Sequence, residues 1–184
     1  MYIMKLFSVQ KNSAGFTLIE LLVVIGILGI LAAALVATID PFEQLKKAND
    51  SNTKNAMVEY LNANIRYYTT HSDFPWDDSV DYAACYNGGT VPDSVALDNA
   101  QMTNCIEALT DENELKQAFD SSPVLQNIYI TYVAGTNELT GCFQPESKSQ
   151  QADVNTKFDR DGTENAVKNC SSTAATNGCY WCTK

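Results

Sequence analysis

Gly15-Phe16-Thr17-Leu18-Ile19-Glu20 opens onto Leu21 to Ile39 (LLVVIGILGILAAALVATI), a run of 19 residues without a charge. A spanning helix needs roughly 20 apolar residues, so the run predicts a membrane helix. The acid at its start needs a reason. A carboxylate inside a span costs about 2.5 kcal/mol or more, which makes such acids functional candidates. The simplest partner is an α-amine created by cleavage before Phe16. Upstream, Met1 to Gly15 contains Lys5 and Lys11 and no acid, which would hold the leader in the cytoplasm. A secretory signal puts its small-residue cut site after the apolar stretch. Here Ala14-Gly15 comes before it, so cleavage would leave the helix in the mature chain.

The charge balance reinforces an outside location for the rest. The 184 residues sum to −10, and without the two leader lysines 10 basic side chains face 22 acidic ones. That excess weighs against a nucleic-acid partner, since phosphate binding draws on basic surface, and it suits a self-repelling soluble head. All six cysteines, Cys85, Cys105, Cys142, Cys170, Cys179 and Cys182, follow the apolar run. An even count on an exported side predicts disulfides, with the pairing left open.

Beyond the apolar run, Asp40-Pro41-Phe42-Glu43 has the pattern of a helix start, with Pro at the first position and an acid in capping-box spacing. A second helix begins there, or the first kinks and continues. Ala56, Met57, Tyr60, Leu61, Ile65 and Tyr68 form an apolar stripe on one helical face. Asn49 to Asn55 is polar all round and is expected to face solvent. His71-Ser72-Asp73-Phe74-Pro75 ends the helix. Asp77 to Pro92 reads as irregular, with a turn at Gly88-Gly89. Asp93 to Phe119 predicts one short helix near Met102 to Leu109 and another after Thr110-Asp111-Glu112. Ile128 to Ala134 and Leu139 to Gln144 predict two strands around a Gly135–Glu138 turn. Gln144 to Gly178 reads as loop, and Tyr180-Trp181 as a last short strand or pinned tail.

The basic leader and Gly15-Phe16-Thr17-Leu18-Ile19-Glu20-Leu21-Leu22-Val23-Val24 resemble the processing site of type IV prepilins and pseudopilins. The strong resemblance covers Met1 to Ile39. It implies a prepilin peptidase that cuts Gly15-Phe16 and methylates the Phe16 amine, and pairing of Glu20 with Phe16 of a neighbouring subunit. It implies an α+β, pilin-like fold: a long N-terminal helix, apolar half exposed and amphipathic half packed on a small antiparallel sheet, with a disulfide-closed, loop-rich C-terminal region. The parts would be residues 1–15 as cleaved leader, 16–40 as transmembrane and assembly helix, and 41–184 as periplasmic or extracellular head. Partners would be further pilin subunits, membrane lipid before assembly, the peptidase, and an inner-membrane platform with its ATPases. The precursor would sit in the inner membrane before joining a surface or periplasm-spanning filament. Gly26 and Gly29 allow close helix approach. In filaments of this family the helix often melts between such a Gly and a following Pro, here Gly29 to Pro41.

Blander readings compete at several positions. Glu20 could sit at the membrane interface of an ordinary anchor. Gly26 and Gly29 lack Gly-x-x-x-Gly spacing. Cys179-Tyr180-Trp181-Cys182 has the spacing of redox and zinc sites, but no helix follows it, and disulfides are favoured in an exported tail. Asp159-Arg160-Asp161-Gly162 is half of a calcium loop, with Lys157 where a further Asp or Asn is wanted, so a turn is preferred and no cofactor is expected. His71 has no catalytic setting. A structural filament subunit is therefore the first reading, a minor pilin or pseudopilin that binds a surface, DNA or a secreted substrate the second, and a tethered enzyme the third.

Overall fold

A computed structural model describes residues 15–38, 40–77, 85, 94–133, 135–164 and 179–183. The chain divides into two units, Met1–Asp40 and Pro41–Lys184. In the first, helix α1 runs Leu18–Thr38 without a break at Gly26 or Gly29. Its 21 residues span about 30 Å, the thickness of a bilayer core. Leu18–Val36 is the one stretch among the described residues that is long and apolar enough to cross a membrane, and none of it is buried.

The second unit is built on helix α2, Pro41–His71. Pro41 takes the first helical position, where its missing N–H is harmless. Strands β1 (Val95–Ala96), β2 (Ile128–Val133), β3 (Glu138–Phe143), β4 (Thr156–Phe158) and β5 (Tyr180–Thr183) form one antiparallel sheet in the order β1-β2-β3-β5-β4. Helix α3, Ala100–Asp111, and the single turn α4, Lys148–Gln151, complete the unit. A Cβ at Gly141 would come within 2.8 Å of Met57 Cγ and 3.0 Å of Leu61 Cδ1. The sheet thus approaches α2 closely at Gly141, and only a residue without a side chain fits. Residues opposite one another in register share a face, so Ile128, Ile130 and Tyr132 of β2, Leu139 and Phe143 of β3, and Trp181 of β5 face α2 as well. All six are buried.

The α2 stripe differs from the one expected. Its buried residues are Asp50, Thr53, Met57, Tyr60, Leu61, Ala63, Asn64 and Tyr67. Ile65 lies 55 % exposed, because its place on the helix falls beside the contact rather than in it. The polar run Asn49–Asn55 does not simply face solvent: Asp50 and Thr53 are buried. Asp50 Oδ1 accepts the Glu146 N–H at 2.9 Å, and Oδ2 accepts the Ser147 N–H at 2.8 Å and hydroxyl at 2.5 Å. Glu43 accepts the Lys148 N–H. Two carboxylates, two helical turns apart, thereby strap the start of α4 onto α2.

Asn99 caps α3 by accepting the Gln101 N–H at 3.0 Å. The second helix expected after Thr110-Asp111-Glu112 is absent. Asn113 instead adopts φ 60°, and the N–H groups of Glu114 and Leu115 close back on the Leu109 carbonyl, which ends α3. Arg66 then ties the following segment to α2, its Nε on Glu114 Oε2 and its Nη2 on the Glu114 carbonyl, both at 2.6 Å. The hairpin and last strand match their predicted positions to within a residue or two. Gln144–Gly178, read as loop, contains α4 and β4. β4 is the edge strand paired with β5, and its Phe158 also bridges to Glu164, so the chain end helps to fix a segment some twenty residues earlier. At the far end of α2, Ser72 (φ 64°) leaves the helix and Tyr68, Phe74, Trp76 and Tyr132 stack within 4.8–5.2 Å. His71 stacks on Tyr67 at 4.0 Å, consistent with a structural place at the helix end. Gly88-Gly89, the leader with Lys5 and Lys11, and Cys170 lie outside the described residues.

Candidate processing and assembly site

Gly15, Phe16 and Thr17 precede α1 as non-helical, exposed chain, with Phe16 85 % exposed. The Gly15–Phe16 peptide bond is therefore open to an enzyme, which needs an unwound substrate. Thr17 is the helix cap and Glu20 the third helical residue, and the two bond reciprocally. Glu20 Oε2 accepts the Thr17 N–H at 2.8 Å and the Thr17 hydroxyl at 2.7 Å, and Thr17 Oγ1 accepts the Glu20 N–H at 3.4 Å. This is a capping box. Its sequence signal is Thr17-x-x-Glu20 ahead of an apolar run.

The box settles part of the problem posed by Glu20. An acid in the first turn also meets the positive end of the helix dipole. It leaves the rest open: both bonds fall on Oε2, and Oε1 accepts none from a described residue. An ionised carboxylate has room for further donors. Thr17 is uncharged, so the negative charge itself has no counter-ion in this unit among the described residues. Gly26 and Gly29 have nothing within 4 Å of a Cβ position.

Residues 10–36 match the family model of the prokaryotic N-terminal methylation motif. The chain carries a prepilin-type signal. This signal marks type IV pilin and pseudopilin precursors, and the match ends inside α1. No curated protein and no solved structure matches the chain. The signal and the exposed apolar helix together fit a membrane-anchored precursor.

The described cysteines and the Asp159–Gly162 segment have structural places. Cys142 and Cys182 stand opposite each other on β3 and β5 and are joined, as are Cys85 and Cys105. Cys179 is disulfide-bonded too. Cys179 and Cys182 are therefore not joined to each other, and neither is a free thiol that could bind zinc. Asp159–Gly162 is a turn: the Gly162 N–H reaches the Asp159 carbonyl at 3.0 Å, with Gly162 at φ 85°. Asp161 Oδ1 turns inward to the Thr163 N–H and hydroxyl at 2.9 and 2.7 Å. Among the described residues no group of three His, Cys, Asp or Glu is placed to hold a metal.

Proposed function

We propose that this protein is a structural, non-catalytic subunit of a type IV pilus-like filament, cut at Gly15–Phe16 and polymerised through α1. The observation that carries the reading is an unburied apolar helix headed by a processing signal whose acid has one oxygen that accepts no bond from a described residue. Cleavage would place a charged amine at Phe16. The Phe16 amine of a neighbouring copy would meet Glu20 Oε1, and the pair would fix the register between helices. In an apolar setting an ion pair is tolerable where a lone charge is not. Packing of α1 against other copies would replace lipid, and close approach at Gly26 and Gly29 would assist it. Residues 1–15 are the leader, 16–40 the assembly helix and 41–184 the exported head.

Replacing Gly15 with Leu tests the reading. A full-length precursor should collect in the membrane and no filament should form. Normal maturation of that variant would contradict the assigned cut.

A further inference from the structure

The surface of the second unit holds a trough that the filament reading does not use. Three hollows of about 430, 230 and 320 Å³ lie end to end along α2. The first two share Pro123 and Val124, and the last two share Asn127, Gln144 and Glu146. Together they follow α2 from Lys46 to Glu59, roughly 20 Å of helix.

Besides the half-buried Gln144 and Gln151, five amide side chains border this trough: Asn49, Asn52 and Asn55 from α2, Gln126 and Asn127 from the facing loop. These five are exposed, and none makes a side-chain hydrogen bond to another described residue. Ala56, Phe119, Pro123 and Val124 supply an apolar floor. Charged residues of the lining itself hold the walls together. Asp50, 5 % exposed, grips the backbone of Glu146 and Ser147. Lys116 reaches across to Glu59 at 3.4 Å. That pair neutralises itself, and Lys46, Asp50 and Glu146 leave the lining with one net negative charge.

We propose that this trough binds a neutral oligosaccharide. An amide offers donors and an acceptor at one planar end, which matches neighbouring sugar hydroxyls, and an apolar floor suits the C–H face of a sugar ring. An extended peptide would want a free strand edge, but the walls here are a helix and two loops. An anionic ligand would meet a chain of net charge −10. The proposal stands independently of filament assembly.

The test uses the full chain in a zwitterionic detergent that carries no sugar headgroup. It is titrated by calorimetry with linear hexasaccharides of α-linked glucose, β-linked glucose, N-acetylglucosamine and mannose. At least one should bind with Kd below about 1 mM, and the Asn52→Asp, Asn127→Asp double variant should bind it at least about tenfold more weakly with unchanged thermal unfolding. Both positions are exposed and the change is isosteric, so the fold survives. No binding by any of the four, or equal binding by the variant, would overturn the proposal. So would tighter binding of an uncharged Gly-Ser dodecapeptide that displaces the sugar.

Discussion

Glu20 on α1 and Asp50 on α2 are both helix carboxylates, and they are held in opposite ways. Asp50 is buried and takes three hydrogen bonds from residues 96 and 97 positions away. Glu20 is exposed, and among the described residues its carboxylate bonds only to Thr17, three positions away. The helices around them follow the same division. α2 buries its stripe against its own sheet, while α1 buries nothing. A charge compensated over long range belongs to folding. A charge compensated only locally among the described residues, on a helix with none of its described residues buried, is what the proposed pairing between subunits would use.

Substitutions at the two acids should therefore fail differently. Glu20→Ala should abolish filaments while the head unfolds at the wild-type temperature, measured on protein from the membrane fraction. Asp50→Ala should do the reverse: processing at Gly15 continues, but the head loses about 3 kcal/mol, because buried donors at Ser147 and Glu146 are left unsatisfied. Denaturant unfolding measures that loss, and an unchanged midpoint would break the contrast. Thr17→Val keeps the side-chain shape and removes the capping box. It should cost about 1 kcal/mol of helix stability at that end, seen as fraying of residues 18–20 by NMR in micelles, with Thr17→Ser restoring order.

A third acid gives the smallest effect. Burial pushes the Asp77 carboxyl above its usual range; the Tyr132 hydroxyl at 3.4 Å pulls it back less, and the Asp73 charge adds to the push. A raised folded-state pKa means the folded chain holds this proton more tightly than the unfolded one. Its stabilising contribution is present below the ordinary carboxylate range and is lost as pH rises through the raised value. Asp77→Asn should remove that part of the pH dependence and leave stability at neutral pH equal or slightly higher. A steeper loss on raising the pH would contradict the assignment.

The two regions were also unequally legible in the sequence. The apolar run, its length and the motif before it depend on local order, so residue type and spacing suffice. The hairpin was legible for the same reason, since β-branched and aromatic residues alternate around a turn. Asp50 and Thr53 were missed because a polar run gives no hydrophobic signal. The clue was phase: 50, 53, 57, 60, 64 and 67 recur at helical spacing, with Met57 and Tyr60 among them. Ile65 follows Leu61 at helical spacing, but it falls at the margin of the face that Met57, Tyr60, Asn64 and Tyr67 bury, so spacing by itself does not exclude it. α4 and β4 depend on α2 and on the chain end respectively, contacts that no local window contains. At the candidate site, the Glu20 charge is plain from the sequence, and Thr17-x-x-Glu20 lies inside the cut-site motif, so one short stretch carries two signals, the cap and the cut.

Intact-mass spectrometry of the protein recovered from filaments and from the membrane fraction tests the central claim most directly. The account predicts a filament subunit that begins at Phe16 and carries one added methyl group. A filament subunit that retains Met1 to Gly15, or begins at any residue other than Phe16, would contradict it.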